Sequence, residues 1–311
     1  MFLMSTVVTV TFSPCIDKTA SVPHLEAEKK LHCSAPTLEP GGGGINVARV
    51  IKRLGLPVIA VYPSGGYSGK FLDHLMRKEE VESVTIETEN ETRENIIIVD
   101  ESANNQYRFG MPANALSEHE WKACLDAVTH IPAMDYLVVS GSMPPGVPLS
   151  VFKELPAIAR SKNARLVVDT SGPALKEAIH QGVYMLKPNL GELSSLAGTN
   201  RLGIDKVEET ARHVLNEYGC EILVVSMGKD GAMLVSKDKA FIARSPDVPR
   251  KSTVGAGDSM VAGIVYSLAR EKSLKNALLY GIACGTAATM NPGTELCHKD
   301  DADRLYRMIA G

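Results

Sequence analysis

Short apolar runs recur along the chain, each separated from the next by a helix-length amphipathic stretch. Tyr136-Leu137-Val138-Val139-Ser140, Arg165-Leu166-Val167-Val168 and Ile222-Leu223-Val224-Val225 are the clearest. They are continuous rather than alternating, so both faces of each strand must be buried, as in a parallel sheet covered by helices. The same reading puts strands at 6–12, 58–62 and 184–186. It puts helices at 69–78, 117–128, 149–161 and 207–218, with a hairpin at 232–236 and 240–244 and two or three helices at the C-terminal end. Ser117 and Glu120 have the spacing of a capping box. The pattern predicts a three-layer α/β/α fold with a mostly parallel central sheet.

At 311 residues the chain is long enough for one large domain of this kind. A net charge of -3 gives no general attraction for nucleic acid or anionic membrane, so any anion binding has to be local. The six cysteines form no C-x-x-C pair and the eight histidines have no metal-ligand spacing, which points to a reducing compartment and away from zinc. The N-terminal ten residues are apolar but lack the basic start of a signal peptide, and they read as a first buried strand. No uncharged run is long enough to span a bilayer. The expected location is the cytoplasm.

In an open parallel sheet, ligands collect at the carboxyl ends of the strands. Those ends hold Asp17, Ser142, Asp169, Asn189, Glu192 and Gly228. Two glycine-rich segments open helices: Gly41-Gly42-Gly43-Gly44 before Ile45-Asn46, and Gly255-Ala256-Gly257 before Asp258. Glycines at a helix mouth leave amide groups unshielded, and the helix dipole adds positive character there. Asp258 can be an ordinary helix cap or a working carboxylate beside an anion cradle. Likewise Gly41-Gly44 can be a linker or a ligand loop, although the well-formed helix that follows favours the loop. Asp17 can equally be a turn residue. The P-loop pattern G-x-x-x-x-G-K-[ST] does not occur, nor do the signature sets of protein kinases. Lone carboxylates at strand ends suit a Mg²⁺ ion held partly through water.

Two segments, about 18–40 and 92–111, break the alternation. Their short polar-apolar stretches, with a turn at 101–105, read as strands inserted into a single domain spanning 1–311. They would form a small β-sheet lid whose other face could meet a second subunit.

Three motifs, Gly41-Gly42-Gly43-Gly44-Ile45-Asn46-Val47-Ala48-Arg49, Lys187-Pro188-Asn189-x-x-Glu192 and Thr253-Val254-Gly255-Ala256-Gly257-Asp258, resemble in order and spacing the signatures of the ribokinase-like (PfkB-type) sugar kinases. Thr92-Arg93-x-Asn95, Gln106-Tyr107-Arg108-Phe109, Ser140-Gly141-Ser142-x-Pro144-Pro145-Gly146 and Leu296-Cys297 extend the likeness over essentially the whole chain. Within the family they are most similar to the minor-type bacterial 6-phosphofructokinases.

The resemblance implies phosphoryl transfer from MgATP to a hydroxyl of a sugar phosphate. It makes Asp258 the base and the amides of Gly255, Ala256 and Gly257 an anion hole. Asp17, Gly42, Gly43 and Asn46 match positions that hold the sugar, Arg93 and Ser142 those that hold its phosphate, and Lys30 lies on the lid where a further phosphate contact belongs. Lys187, Asn189, Ser226, Gly228, Gly231, Val254, Ile282 and Thr286 fall on the nucleotide side, with Lys187 otherwise a surface lysine. Glu192 and Asp169 fall on the metal side. ATP and Mg²⁺ are the implied cofactors, with a monovalent cation such as K⁺ left open, and a homodimer through the lid is the implied assembly. His32 departs from the second lid arginine of similar proteins. The favoured acceptor is fructose 6-phosphate; tagatose 6-phosphate and fructose 1-phosphate are the alternatives. Glycine at 43 favours the first, because fructose 1-phosphate kinases often carry lysine there. A non-catalytic sugar- or nucleotide-binding regulator is the remaining reading, and the presence of Asp258, Gly255 and Gly257 counts against it.

Overall fold

A computed structural model of the protein describes residues 6–199 and 202–311. The buried strand β1 (Val7–Val10) is followed by an excursion, β2 (Cys15–Val22) and β3 (Thr37–Gly41). The chain returns through α1 (Gly43–Leu54), β4 (Val58–Gly65), α2 (Gly66–Lys78) and β5 (Glu82–Thr88). A second excursion forms β6 (Arg93–Asp100) and β7 (Asn105–Phe109). Helices and strands then alternate: α3 (Glu118–His130), β8 (Tyr136–Ser140), α4 (Val151–Ser161), β9 (Arg165–Asp169), α5 (Gly172–Ile179), β10 (Met185–Leu186) and α6 (Leu190–Leu196). α7 (Val207–Tyr218), β11 (Ile222–Ser226) and the hairpin β12 (Ala232–Ser236) and β13 (Ala240–Ala243) follow. The chain closes with α8 (Ala256–Ala269), α9 (Leu274–Thr289) and α10 (Lys299–Ala310).

Among the described residues two sheets form. The larger runs β13-β12-β11-β10-β9-β8-β1-β4-β5 and is parallel from β11 to β5, the hairpin closing one edge antiparallel. Successive strand residues feed opposite cores, as a period of two requires. Val138 and Val224 join the core built with α1, α2, α8, α9 and α10, while Leu137, Val139 and Val225 join the one built with α3 to α7. This is the expected three-layer arrangement. From β1 the chain order runs one way to β4 and β5 and the other way to β8, β9 and β10. The switch between β1 and β8 leaves a crevice at their carboxyl ends, the place where this class of sheet binds ligands.

The smaller, separate sheet has the order β3-β2-β6-β7. It begins at Cys15, so Asp17 lies inside β2 opposite Glu39 and Asn95 rather than in a turn. Ser117 caps α3 reciprocally with Glu120, as their spacing predicts. The sequence pattern assigns no strand or helix to β5, α5 or α6. β5 is an edge strand of mostly polar residues, three of the five exposed, so it carries no apolar run. The first five residues of the expected N-terminal strand lie outside the described residues. No described helix is long and apolar enough to cross a membrane.

Arg49, on the inner side of α1, is almost wholly enclosed. It donates to Glu79 (2.7 and 3.0 Å) and to the carbonyls of Pro40 and Thr294 (each 2.9 Å). Burying a guanidinium is tolerable only when its donors are satisfied in this way. The network fixes α1 against the end of β3 and against the segment between α9 and α10.

Candidate active site

Gly255 caps α8 in the left-handed conformation (φ 71°), and the Cδ2 of Leu296 occupies the space a Cβ would need. A side chain there would be strained and would clash, so glycine is required. No side chain caps the first amides of α8, and Ala256 and Gly257 line the adjoining cavity. The helix mouth therefore offers unpaired N–H groups to an anion.

Asp258, in the first turn of α8, reaches the other glycine-opened helix. Its Oδ2 accepts a hydrogen bond from Asn46 Nδ2 at 2.9 Å, and its Oδ1 a longer one from Ser140 Oγ at 3.4 Å. Asn46 is placed by the first turn of α1, where its own N–H donates to Gly42 O. Gly43 presses that turn onto the end of β8: a Cβ would fall 2.6 Å from Gly141 N and clash with Ser140 Oγ. Asn46, Ser140 and Asp258 thus meet at the carboxyl-end crevice, from three elements far apart in sequence.

Burial pushes the Asp258 carboxyl up to about 6, and the nearby Asp169 carboxylate adds to the rise. The Asn46 hydrogen bond, the Lys187 charge and Ser140 work against it. Lys187 is not the surface residue that its sequence position allows: it is buried and pairs with Asp169 at 3.1 Å. Burial pulls the lysine down, but its pairing with Asp169 more than offsets this and keeps it charged. Its ammonium lies 3.5 Å from the position of a Gly257 Cβ, so positive charge stands beside the helix mouth.

Asn189 and Glu192 form a reciprocal cap on α6: Glu192 N donates to Asn189 Oδ1 (2.9 Å) and Asn189 N to Glu192 Oε2 (2.8 Å). No cluster of three or more potential metal ligands occurs among the described residues. Asp169 is engaged by Lys187, and Glu192 keeps part of its carboxylate accessible. Such a set fits an ion that retains most of its waters, as Mg²⁺ does, and not a protein cage.

A cavity of about 480 Å³ beside Ala256 and Gly257 is lined by Ser226, Gly228, Lys229, Thr253, Thr286 and neighbouring residues. That size suits a nucleotide-sized ligand. Five expected nucleotide contacts do not line it: Lys187 and Asn189, described above, and Val254, Ile282 and Gly231. Ile282 is fully buried inside α9, Val254 stands outside the lining, and a Cβ at Gly231 would clash with the Ala243 carbonyl and fall 2.7 Å from the Arg244 α-carbon. The apolar or glycine character of Ile282 and Gly231 is set by packing.

On the other side of Asp258, Asp17 is buried and accepts from Asn95 Nδ2 at 2.9 Å and from Cys15 Sγ at 3.4 Å. Gly41 packs directly on the Asp17 carboxylate. Arg93 donates to Met111 O and Ser13 O at 3.0 and 3.2 Å, and its Nε is buried without a partner. An unsatisfied guanidinium N–H at the rim of a cleft is what an incoming anion would complete. Ser142 is exposed after β8, and Lys30 and His32 are exposed on the loop between β2 and β3, apart from this cluster. Ser140 and Asn95 were not among the expected site residues. Each was visible only as part of a motif; the structure shows Ser140 as the last residue of β8 and Asn95 opposite Asp17.

Two glycine-mouthed helices facing one another across a buried carboxylate define a phosphoryl-transfer class of site. The chain belongs to the pfkB family of carbohydrate kinases, whose profile matches residues 9–301. It is 40% identical over 308 residues to the ATP-dependent 6-phosphofructokinase isozyme 2 of Escherichia coli (strain K12), covering 99% of this chain and 100% of that one. It is 31% identical to the 1-phosphofructokinase of Bacillus subtilis (strain 168), covering 92% and 94%. The crystal structure of Phosphofructokinase-2 from Escherichia coli in complex with substrates and products superimposes with a TM-score of 0.94 at 39% identity, over 98% of this chain and 99% of that one.

The raised carboxyl is directly measurable. An NMR titration of ¹³C-labelled Asp258 should give a midpoint near 6. Asp169→Asn should lower it, because one cause of the rise is the neighbouring negative charge. As a folded value above the ordinary one, it costs stability as pH rises toward 6, so Asp258→Asn should flatten that slope. A wild-type midpoint at the ordinary value near 4 would contradict the described environment.

Proposed function

We propose that the protein transfers the γ-phosphoryl group of MgATP to a hydroxyl of a hexose phosphate, with fructose 6-phosphate as acceptor and fructose 1,6-bisphosphate as product. The observation that carries this reading is the Asn46–Asp258 hydrogen bond, which sets a carboxylate between the cavity beside Gly257 and the cluster of Asp17, Asn95 and Arg93. The full-length similarity to a 6-phosphofructokinase supports the choice of acceptor. The glycine at 43 adds less to that choice, because in this chain its packing against Ser140 and Gly141 also favours glycine. The 1-phosphofructokinase relative keeps fructose 1-phosphate as the second acceptor to test.

With a carboxyl near 6, Asp258 is ionised at neutral pH and can accept a proton. Oδ2 is held by Asn46, which leaves Oδ1, with its longer contact to Ser140, to receive the acceptor hydroxyl's hydrogen bond. Phosphoryl transfer needs alignment and charge neutralisation more than a strong base. The uncapped amides of Gly255, Ala256 and Gly257, backed by Lys187, would take charge on the transferring group. Ser226, Gly228 and Thr286 would hold the nucleotide, with Asn189 beside its phosphates. Glu192 and Asp169 would hold Mg²⁺ through water, and the ion would neutralise phosphate charge. Asp17, Gly42, Gly43 and Asn46 would hold the sugar; Arg93 and Ser142 would hold its phosphate, with Lys30 reaching it as the second sheet closes as a lid. All six cysteines are free, which supports the cytoplasm as its compartment.

Asp258→Asn should lower kcat by a factor on the order of 10² to 10⁴ while nucleotide binding persists. Retention of most turnover would refute the base. Arg93→Ala should raise KM for the sugar phosphate by roughly 10- to 100-fold, with KM for ATP little changed, since a charged hydrogen bond is worth about 1.5–3 kcal/mol. An equal rise in both would remove the phosphate assignment. Ile96 and Phe109, paired across β6 and β7 on the face opposite Asn95, are exposed, as is Tyr107. This apolar face supports a homodimer through the lid, and sedimentation should show one; a monomer would exclude it.

A further inference from the structure

Leu296 fills the space over Gly255, and its own backbone is unusual. It is buried at φ 67°, a region that a branched apolar side chain seldom occupies. Asn291 Nδ2 secures its carbonyl at 2.7 Å. Two residues earlier Thr294, wholly buried, donates its N–H and its hydroxyl to the same oxygen, Glu39 Oε2, at 2.9 and 3.0 Å. The Thr294 carbonyl accepts from Arg49, whose guanidinium also reaches Glu39 Oε1 at 3.5 Å.

Glu39 belongs to β3 of the smaller sheet and is the cross-strand partner of Asp17. Gly293 packs on the same carboxylate and on Thr19 of β2. One buried carboxylate therefore joins the sheet that carries Asp17 to the segment that props the Gly255 turn. Charge-assisted hydrogen bonds at one end and a close-packed, sparsely populated backbone at the other leave that segment little room to absorb a displacement.

We propose that Glu39 is a positioning residue that couples the seating of the acceptor against the smaller sheet to the shape of the Gly255–Gly257 turn, with Thr294 and Leu296 as the links. The proposal rests on the phosphoryl-transfer reading above. Seating the acceptor against β2 and β3 moves Glu39, and Thr294 and Leu296 carry that movement to the amides of the turn. Glu39 touches no reacting atom in this scheme and acts only through Thr294 and Leu296.

The test uses the full chain. Glu39→Gln, close in shape, should lower kcat by a factor on the order of 10 to 100, the scale of a small misplacement at a transfer site, with both KM values within about threefold. Leu296→Gly, compatible with positive φ, cuts the path downstream. The double variant should be no worse than the poorer single one, because both break the same chain. Hydrogen exchange supplies a readout independent of turnover: with a non-hydrolysable ATP analogue bound, adding fructose 6-phosphate should further protect the segment 254–257 in wild type and not in Glu39→Gln. The exchange is repeated in a Gln106→Ala background, since Gln106 Nε2 also reaches Ser252 Oγ (3.3 Å) from the smaller sheet. Additive losses, protection retained in Glu39→Gln in that background, or a loss confined to KM would each overturn the coupling while the kinase reading stands. A wild-type chain that turns over none of the three sugar phosphates would overturn the kinase reading, and the proposal with it.

Discussion

The hydrogen bond from Asn46 to Asp258 joins residues 212 apart in sequence, and most of the site follows from what is needed to make it. The first turn of α1 must lie against the end of β8, which excludes any side chain at Gly43. The first turn of α8 must arrive from the opposite side with its amides bare, which excludes one at Gly255. Both helices belong to the same core layer, and the switch of strand order between β1 and β8 opens the crevice into which their mouths point. The contact brings a helix mouth from each half of the chain to one crevice.

Charge is arranged around that contact so that nothing is fully neutralised. Asp258 and Asp169 repel each other in a region of low polarity, and Lys187 is shared between them. Were Lys187 nearer to Asp258 than to Asp169, the carboxylate would be a poorer proton acceptor. Were it absent, two buried carboxylates would face each other with no counter-charge. Asp169 takes most of the lysine, and Asp258 remains a carboxyl near 6: weak, ionised at neutral pH and held in one orientation by Asn46.

Much of this was legible in the sequence because it depends on periodicity and on backbone requirements. Continuous Val-rich runs gave the parallel strands, and glycines before apolar helices marked both helix mouths. What was not legible depends on distance through space. Nothing local distinguishes β5, whose polar residues belong to an exposed edge, from a loop. Lys187 follows a buried strand and can as easily face solvent as Asp169; only the placement of β9 beside β10 decides it. That Ile282 is buried inside α9 and that Gly231 leaves no room for a Cβ beside the Ala243 carbonyl cannot be read from residue type. Ser140 was overlooked for the converse reason: a small polar residue at a strand end gains meaning only once Asp258 is seen beside it.

The central claim is that Asp258 stands between donor and acceptor. A crystal structure with fructose 6-phosphate and a non-hydrolysable ATP analogue tests it most directly. The account predicts the acceptor hydroxyl within about 2.6–3.2 Å of the Asp258 carboxylate, with the terminal phosphate of the analogue over the amides of Gly255 to Gly257. A sugar phosphate bound with its hydroxyls turned away from Asp258, or a terminal phosphate held elsewhere than at the mouth of α8, would contradict it.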